Sequence, residues 1–481
     1  MRVLLDTNIL IGREDPKLPP QDLTDLLRLL NENNVVLMVH PASIGELERD
    51  PNLDRRQLIR AKAAAYPQLE QARTPSEDFI AALGGTRSPN DVVDAALLYS
   101  VKSNAVSLLL TEDREILHRA SRVGIRERTL TIRAGLEFFS VLFARAIPSA
   151  PLTLKQTPLH SLDHEDHFFD SIKLDYPRFE SWFQRVAQEG RQCVWLATEN
   201  GRIAAILIYK DENEPLLGQP AKRRLKICTL KVGDTLSRQR VSELLLSWAF
   251  RYGHQNGFAE TYVTIYPRYE TQIGILEGLG FSDVGPKAEE RVLLKALRYE
   301  NGAQLPSPDQ FFKTYFPTFR DDAKVRKFLI PVQPTWHTRL FPDYHPHRAQ
   351  RVFEDYVGAA PAGNAIRKAY LCHSRITKIR PGDIVLFYRS KDVRLVTHLG
   401  LVERAVVCQT LDQVIQTSGN RTVLPMRELE ALCQKPVLLI LFWSVGPACS
   451  SRPQGSSVKG VAPVPQSIVE LDEEGYRKLC R

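Results

Sequence analysis

The stretch MRVLLDTNILI, residues Met1 to Ile11, decides how the N-terminal part of the chain is read. Val3, Leu4 and Leu5 form an apolar run too short for a helix, which predicts a buried strand. Asp6, Thr7 and Asn8 end it with small polar residues and put a carboxylate at the strand's C-terminal end. In open α/β sheets that edge is where ligands bind. A carboxylate between two apolar runs is costly to bury unless something positive neutralises it. Taken alone, Asp6 also reads as the cap of the next helix, so the decision rests on whether other acids join it.

Working outward, Leu23, Leu26, Leu27 and Leu30 predict an amphipathic helix over 21–33, and Val35 to Val39 a second strand. A helix starting near Ser43 carries Glu46, and further helix is expected within 54–82. Pro89-Asn90-Asp91 opens another helix, on which Asp91 and Asp94 share a face. Ala105 to Leu110 reads as a third strand ending in Thr111-Glu112-Asp113, and Leu130 to Ile132 as a fourth. Strands alternating with helices imply a parallel sheet with helices on both faces. Asp6 and Asp113 then lie on one edge, within reach of Glu46 and Asp94. Four acids without matching Lys or Arg cannot all ionise unless a cation is present. Hard oxygen donors suit Mg²⁺ or Mn²⁺, which can activate water for phosphodiester hydrolysis.

LLDTN, PASIGELERD, NDVVDAALL and LLLTEDREI, in that order, resemble the PIN-domain ribonucleases over about residues 1 to 140. The resemblance implies Asp6, Glu46, Asp94 and Asp113 as catalytic, metal-coordinating acids, with Thr7 or Asn8 assisting the first. Asp91 is either the helix cap or an extra metal ligand, because the match to the family's third acid favours Asp94.

In the middle, Ala146 to Leu162 reads as a linker, and His160, His164 and His167 as a solvated junction. A helix from Asp170, a hairpin of Cys193–Ala197 and Ile203–Tyr209, and a strand at Leu225–Val232 follow. A long helix over 237–255, a strand at Thr261–Ile265 and a short helix closing in EGLGF complete the segment. This order resembles the GNAT acetyltransferase fold. The family's phosphate loop, however, here reads Arg238-Gln-Arg240-Val241-Ser242-Glu243, with Val241 and Glu243 where glycines are expected. A β-branched side chain blocks close approach and a carboxylate repels phosphate. Arg238 and Arg240 are the candidate cofactor contacts, but acetyl-CoA is not expected as a cofactor. Arg223 and Arg224, in a basic cluster with Lys222, are candidate nucleic-acid contacts.

Beyond connector prolines, Arg380-Pro381-Gly382-Asp383 is a tight turn ahead of a hairpin, Ile384–Tyr388 with Leu395–Val402. IRPGDIVLFYRSKDVRLVTHLGLVERA resembles PUA-like barrels of the ASCH and EVE type. This places Tyr388, Arg389, Ser390 and His398 near a base-binding pocket.

The expected fold is therefore multi-domain, α/β and α+β. A PIN-like nuclease domain is expected over 1–148, a GNAT-like α/β domain with a degenerate cofactor loop over 149–300, and a connector with a PUA-like small β-barrel over 301–481. At 481 residues with 43% hydrophobic and 25% charged content, the composition is that of a globular protein. Seven dispersed cysteines imply a reducing cytoplasm, and no stretch spans a membrane. The net charge of +8 is compatible with a polyanionic partner. The leading expectation is a Mg²⁺- or Mn²⁺-dependent endoribonuclease whose other domains select substrate or partner, in the manner of a toxin or anti-phage effector. RNA or another nucleic acid, a protein inhibitor or antitoxin, and a second copy of the chain are the expected partners. The alternatives are an acyl-CoA-dependent acetyltransferase and a non-catalytic sensor of modified nucleic acid.

Overall fold

A computed structural model describes residues 1–9, 21–47, 63, 66–143, 152–197, 201–233, 236, 240–300, 305–344, 356–357, 361–447 and 465–480. It is a mixed α/β fold with three sheets. It forms two compact units, one of residues 1–145, 408–420 and 424–436, the other of 146–407, 421–423 and 437–481.

The first unit opens with β1 (Arg2–Leu5), α1 (Gln21–Glu32), β2 (Val36–Val39) and α2 (Pro41–Leu47). There follow α3 (Glu77–Leu83), α4 (Pro89–Lys102), β3 (Leu108–Leu110), α5 (Arg114–Arg122), β4 (Thr129–Leu130) and α6 (Ile132–Phe143). The strands are parallel in the order β2-β1-β3-β4. Successive side chains point to opposite faces, and both faces are covered. Leu4, Met38 and Leu109 join a core with Phe79, Val93, Leu97 and Ile116 from α3, α4 and α5. On the other face Gly135 of α6 lies so close that a Cβ would meet Leu110 Cδ2 at 2.8 Å and Leu26 Cδ2 at 3.3 Å. Two local expectations shift: α2 opens at Pro41, ahead of the expected start near Ser43. Ile132 starts α6 instead of ending a strand.

The second unit contains an eight-stranded and a six-stranded sheet. Its first part comprises β5 (Leu152–Pro158), α7 (Asp170–Asp175), α8 (Phe179–Gln188), β6 (Gln192–Ala197), β7 (Ile203–Glu212) and β8 (Arg224–Val232). It continues through α9 (Val241–Gln255), β9 (Glu260–Ile265), α10 (Glu270–Gly278), β10 (Ser282–Lys287) and β11 (Glu290–Ala296). The expected linker thus contains a strand, β5, which pairs antiparallel with β6. Gly257, at φ +80, ends α9 as its Asn-Gly sequence predicts. Residues 198–200 between the strands of the expected hairpin, Arg238 and the first residues of the expected long helix lie outside the described residues.

The C-terminal part adds α11 (Pro308–Tyr315), β12 (Lys327–Val332), α12 (Pro334–Leu340), β13 (Tyr356–Val357), α13 (Pro361–Asn364), β14 (Arg367–Cys372), β15 (Ile384–Arg389) and β16 (Leu395–Cys408). Helices α14 (Leu411–Ser418) and α15 (Met426–Leu432) belong to the first unit, and β17 (Val437–Pro447), β18 (Val469–Leu471) and α16 (Glu473–Cys480) end the second. The β15–β16 hairpin forms as predicted after a turn in which Gly382 takes φ +89. The sheet order is β14-β17-β16-β15-β12-β18, with no pairing of β14 to β18 among the described residues.

The middle and C-terminal segments read as separate domains from sequence, yet they share one core. Leu207, Leu245 and Phe250 cluster with Phe312, Leu329, Leu386 and Trp443. Neither segment buries these faces alone, which is why contacts unite them. Strand β13 also crosses over, pairing with β5. The six described cysteines are free thiols, and among the described residues no helix is long and apolar enough to cross a membrane.

Candidate functional site

The C-terminal edge of the parallel sheet collects the acids. Register aligns Leu5 with Leu110, so Asp6 and Thr111 leave adjacent strands side by side, and Asp6 N–H donates to Leu110 O at 3.0 Å. Asp6 is buried. Its Oδ1 accepts Thr7 N–H at 2.6 Å and its Oδ2 accepts the Thr111 hydroxyl at 2.5 Å. Thr7 Oγ1 donates to Glu46 Oε2 at 2.9 Å, tying α2 to the strand end. Asn8 Nδ2 reaches Thr111 Oγ1 at 3.4 Å. Thr111 Oγ1 also accepts Asp113 N–H at 2.9 Å. Asp113 Oδ1 caps α5 by accepting from Glu115 N at 2.7 Å and Ile116 N at 3.3 Å.

The electrostatics are those of a crowded acid cluster. Burial, with the charges of Asp113 and Glu46, raises Asp6 to about 6 against the Thr111 and Thr7 hydrogen bonds. Burial, then the charges of Asp113 and Asp6, raise Asp94 to about 7, with Arg119 pulling the other way. Asp91 stands apart from this group. Its Oδ2 accepts Arg87 N–H at 2.6 Å and Ser88 N–H at 3.0 Å, completing a capping box with Ser88 Oγ. Those backbone donors, Arg87 first, hold Asp91 below the usual carboxylate range. Its two roles from sequence thus separate: the carboxylate is committed to the helix start and to Arg119, 3.0 Å from its Oδ1.

Among the described residues no three His, Cys, Asp or Glu side chains are arranged to hold a metal ion directly. Like-charged carboxylates hold themselves apart, and Asp6 has both oxygens engaged by hydroxyl and amide donors. The donor set still fits a hard divalent cation, since the acids that raise one another's pKa are all oxygen ligands.

The other candidate residues are placed differently. Arg224 is buried and braces loops: Nε to Glu260 Oε2 at 2.7 Å, NH1 to Glu214 O at 2.8 Å, NH2 to Pro220 O at 3.1 Å. Arg223 is exposed, pairs with Asp211 at 2.8 Å and lies 4.3 Å over the Phe258 ring. Arg240 binds Glu243, whose Oε2 accepts Ile366 N–H at 3.1 Å. Glu243 therefore places a buried carboxylate in the first turn of α9, where an anion would otherwise find N–H donors.

Tyr388, Arg389, Ser390 and His398 are all buried. Ser390 Oγ donates to Val332 O at 3.0 Å. Arg389 pairs with Asp392 at 2.7 Å, and its NH1 lies 3.2 Å from His337 Nδ1. A guanidinium only donates, so His337 Nδ1 accepts and its Nε2–H donates to Thr397 Oγ1 at 2.6 Å, which passes its own hydrogen to Phe387 O at 3.2 Å. Burial, with the His398 and Arg389 charges, keeps His337 well below its ordinary pKa. His398 Nε2 faces both Asp343 oxygens at 3.1 Å, and its ring stacks on Phe341 at 4.0 Å. Burial opposes ionisation of Asp343, but the charge and hydrogen bond of His398 together with the charges of Lys368 and Arg251 outweigh it and hold the acid low. Asp343 also borders a small, solvent-open cleft with Arg251, Lys368 and Ser444. Burial lowers Lys368 to about 8 while its Nζ donates to Leu340 O at 2.8 Å.

Sequence reasoning missed Thr111, Arg119, His337, Asp343 and Lys368. Thr111 was legible, since it follows LLL as Asp6 follows VLL. Arg119 and Lys368 carried a weaker signal: each is a cation on an otherwise apolar face. His337 and Asp343 carried none, because their partners are distant in sequence.

No family model and no curated protein matches the chain. Among solved structures it is similar to the ASCH protein of Zymomonas mobilis, at 13% identity and TM-score 0.24, covering 32% of this chain and 92% of that one. It is also similar to a GNAT-family acetyltransferase of Staphylococcus aureus, at 10% identity and TM-score 0.24, covering 30% and 99%. A GNAT-family N-acetyltransferase of Escherichia coli in complex with CoA is similar at 10% identity and TM-score 0.25, covering 32% and 86%. No PIN domain is among these three.

Proposed function

We propose that the chain is a divalent-cation-dependent nuclease acting on RNA, with its first unit as the hydrolytic part. The observation that carries this reading is the set of four mutually repelling carboxylates, Asp6, Glu46, Asp94 and Asp113, two of which are raised to about 6 and about 7. Perturbed acids grouped at a sheet edge mark a functional site more often than a structural one. These four would hold Mg²⁺ or Mn²⁺. The cation would supply Lewis acidity toward water and phosphodiester oxygens. The chain's own contribution is orientation. Thr111 and the Thr7 amide fix the two Asp6 oxygens, Thr7 Oγ1 fixes Glu46, and the α5 cap fixes Asp113. The second unit is assigned substrate or partner selection. Acetyl transfer is disfavoured by the Glu243 carboxylate at the start of α9.

The experiment is cleavage of a mixed RNA pool with Mn²⁺ by the wild-type chain, Asp6→Asn and Asp113→Asn. Cutting by the wild type alone supports the reading. Equal cutting by all three, or none by any, rejects it.

A further inference from the structure

Arg119 lies on α5 beside the acid cluster, only 7% exposed. Two of its nitrogens are tied down. Nε donates to Glu115 Oε1 at 3.1 Å, and NH2 pairs with Asp91 Oδ1 at 3.0 Å. Asp91 is itself held by two backbone N–H groups. The remaining nitrogen, NH1, is buried without a hydrogen-bond partner and lies 3.8 Å from Asp94 Oδ2. A buried N–H left unbonded costs free energy, so the clasp holds the guanidinium short of closing on Asp94. Of its acidic neighbours, the loosely held one is the one belonging to the cluster.

We propose that Arg119 is a built-in counter-charge that competes with a divalent cation for Asp94, held back from closing on it by Asp91 and Glu115. The inference rests on reading the acid cluster as a cation site. Arg119 is a positioning residue and touches no substrate. A cation bound by Asp94 sits within a few ångströms of the guanidinium and is repelled by it. The Asp91–Arg119–Glu115 clasp therefore sets the cation affinity. Removing the positive charge strengthens cation binding, whereas cutting its tether weakens it.

The test is Mn²⁺ titration of the full chain, read by calorimetry, for the wild type, R119Q, R119K, E115Q and R119Q/D94N, with circular dichroism to establish folding. R119Q is expected to bind Mn²⁺ about fivefold tighter, R119K to stay within about twofold of the wild type, and the R119Q gain to vanish with D94N. E115Q retains the guanidinium and an acceptor oxygen but loses the negative charge that pairs with it, so it is expected to bind about threefold more weakly. A folded R119Q that binds no tighter than a binding-competent wild type overturns the role of Arg119 alone, as does tighter binding by E115Q if R119Q does not fold. Absence of Mn²⁺ binding in the wild type and every variant overturns the cation site itself, and this inference with it.

Discussion

At the edge of the first unit's sheet, Asp6, Glu46, Asp94 and Asp113 lie together with Arg119 at one side, and two of the acids are raised to about 6 and about 7. Inside the second unit, Arg389, His337, Thr397, Asp343 and His398 form a comparable polar group. There each cation meets an acceptor and the carboxylate meets an imidazole. Only His398 Nδ1 is left over in that group among the described residues. Asp6 and Arg119 of the first group are buried, as are Arg389, His337, Thr397 and His398 of the second, so burial alone does not separate a site from a strut. Charge balance does. A satisfied network rigidifies the fold, whereas an unbalanced one invites a ligand that completes it.

The largest effect that would sharpen the contrast is on activity. Asp6→Asn is expected to lower RNA cleavage by at least about a hundredfold while leaving the second unit's unfolding unchanged. A gel assay beside calorimetric unfolding checks it, and retained cleavage breaks the comparison.

The converse test is Arg389→Met. It leaves the buried His337 Nδ1 without its donor and removes the hydrogen bonds to Thr338 Oγ1 and to the exposed Asp392, and is expected to cost the second unit about 2 kcal/mol in denaturant unfolding. Cleavage per folded molecule should not change. A loss of cleavage without a loss of stability would make the second cluster the functional one.

Proton linkage gives the next effect. Asp6 and Asp94 have folded pKa values above their ordinary 3.8, so the folded state binds more protons than the unfolded state between those values. Stability of the first unit therefore falls as pH rises from about 4 to about 7, by about 3 kcal/mol for Asp6 alone. Mn²⁺ added at pH 8 should recover part of that loss. Unfolding midpoints across pH 5 to pH 8, with and without Mn²⁺, provide the measurement. A stability that rises with pH over this range contradicts the prediction.

The smallest effect belongs to Thr7→Val, which removes the hydroxyl donated to Glu46. Cleavage is expected to drop about tenfold, with a stability change near 1 kcal/mol. An unchanged rate would show that Glu46 needs no such orientation.

Much of the fold was legible because the local signals were strong. The Val3–Leu5 run, the leucine face of α1 and the Pro-Gly turn before β15 each impose their geometry with little help from distant residues. Strand β5 was not legible, because Leu152–Pro158 is proline-flanked and polar and becomes a strand only by pairing with β6. The division into units was hidden for the same reason. Leu207 and Phe250 look like one core and Leu386 and Trp443 like another until they are seen to pack together.

The sequence by itself determined that Asp6 ends a strand and that Glu46, Asp94 and Asp113 follow at strand ends or on helices of an alternating pattern. Hydrophobic periodicity and strand-end polarity are local properties, and they carry that much. Only the tertiary structure decided that Asp91 is a cap and not one of the clustered acids, that Arg119 faces Asp94, and that Tyr388, Arg389, Ser390 and His398 are closed inside. Those outcomes depend on which donor or acceptor arrives from a distant part of the chain. Asp6 accordingly enters as a polar end to a strand and finishes as one of four carboxylates whose charges Arg119 only partly offsets.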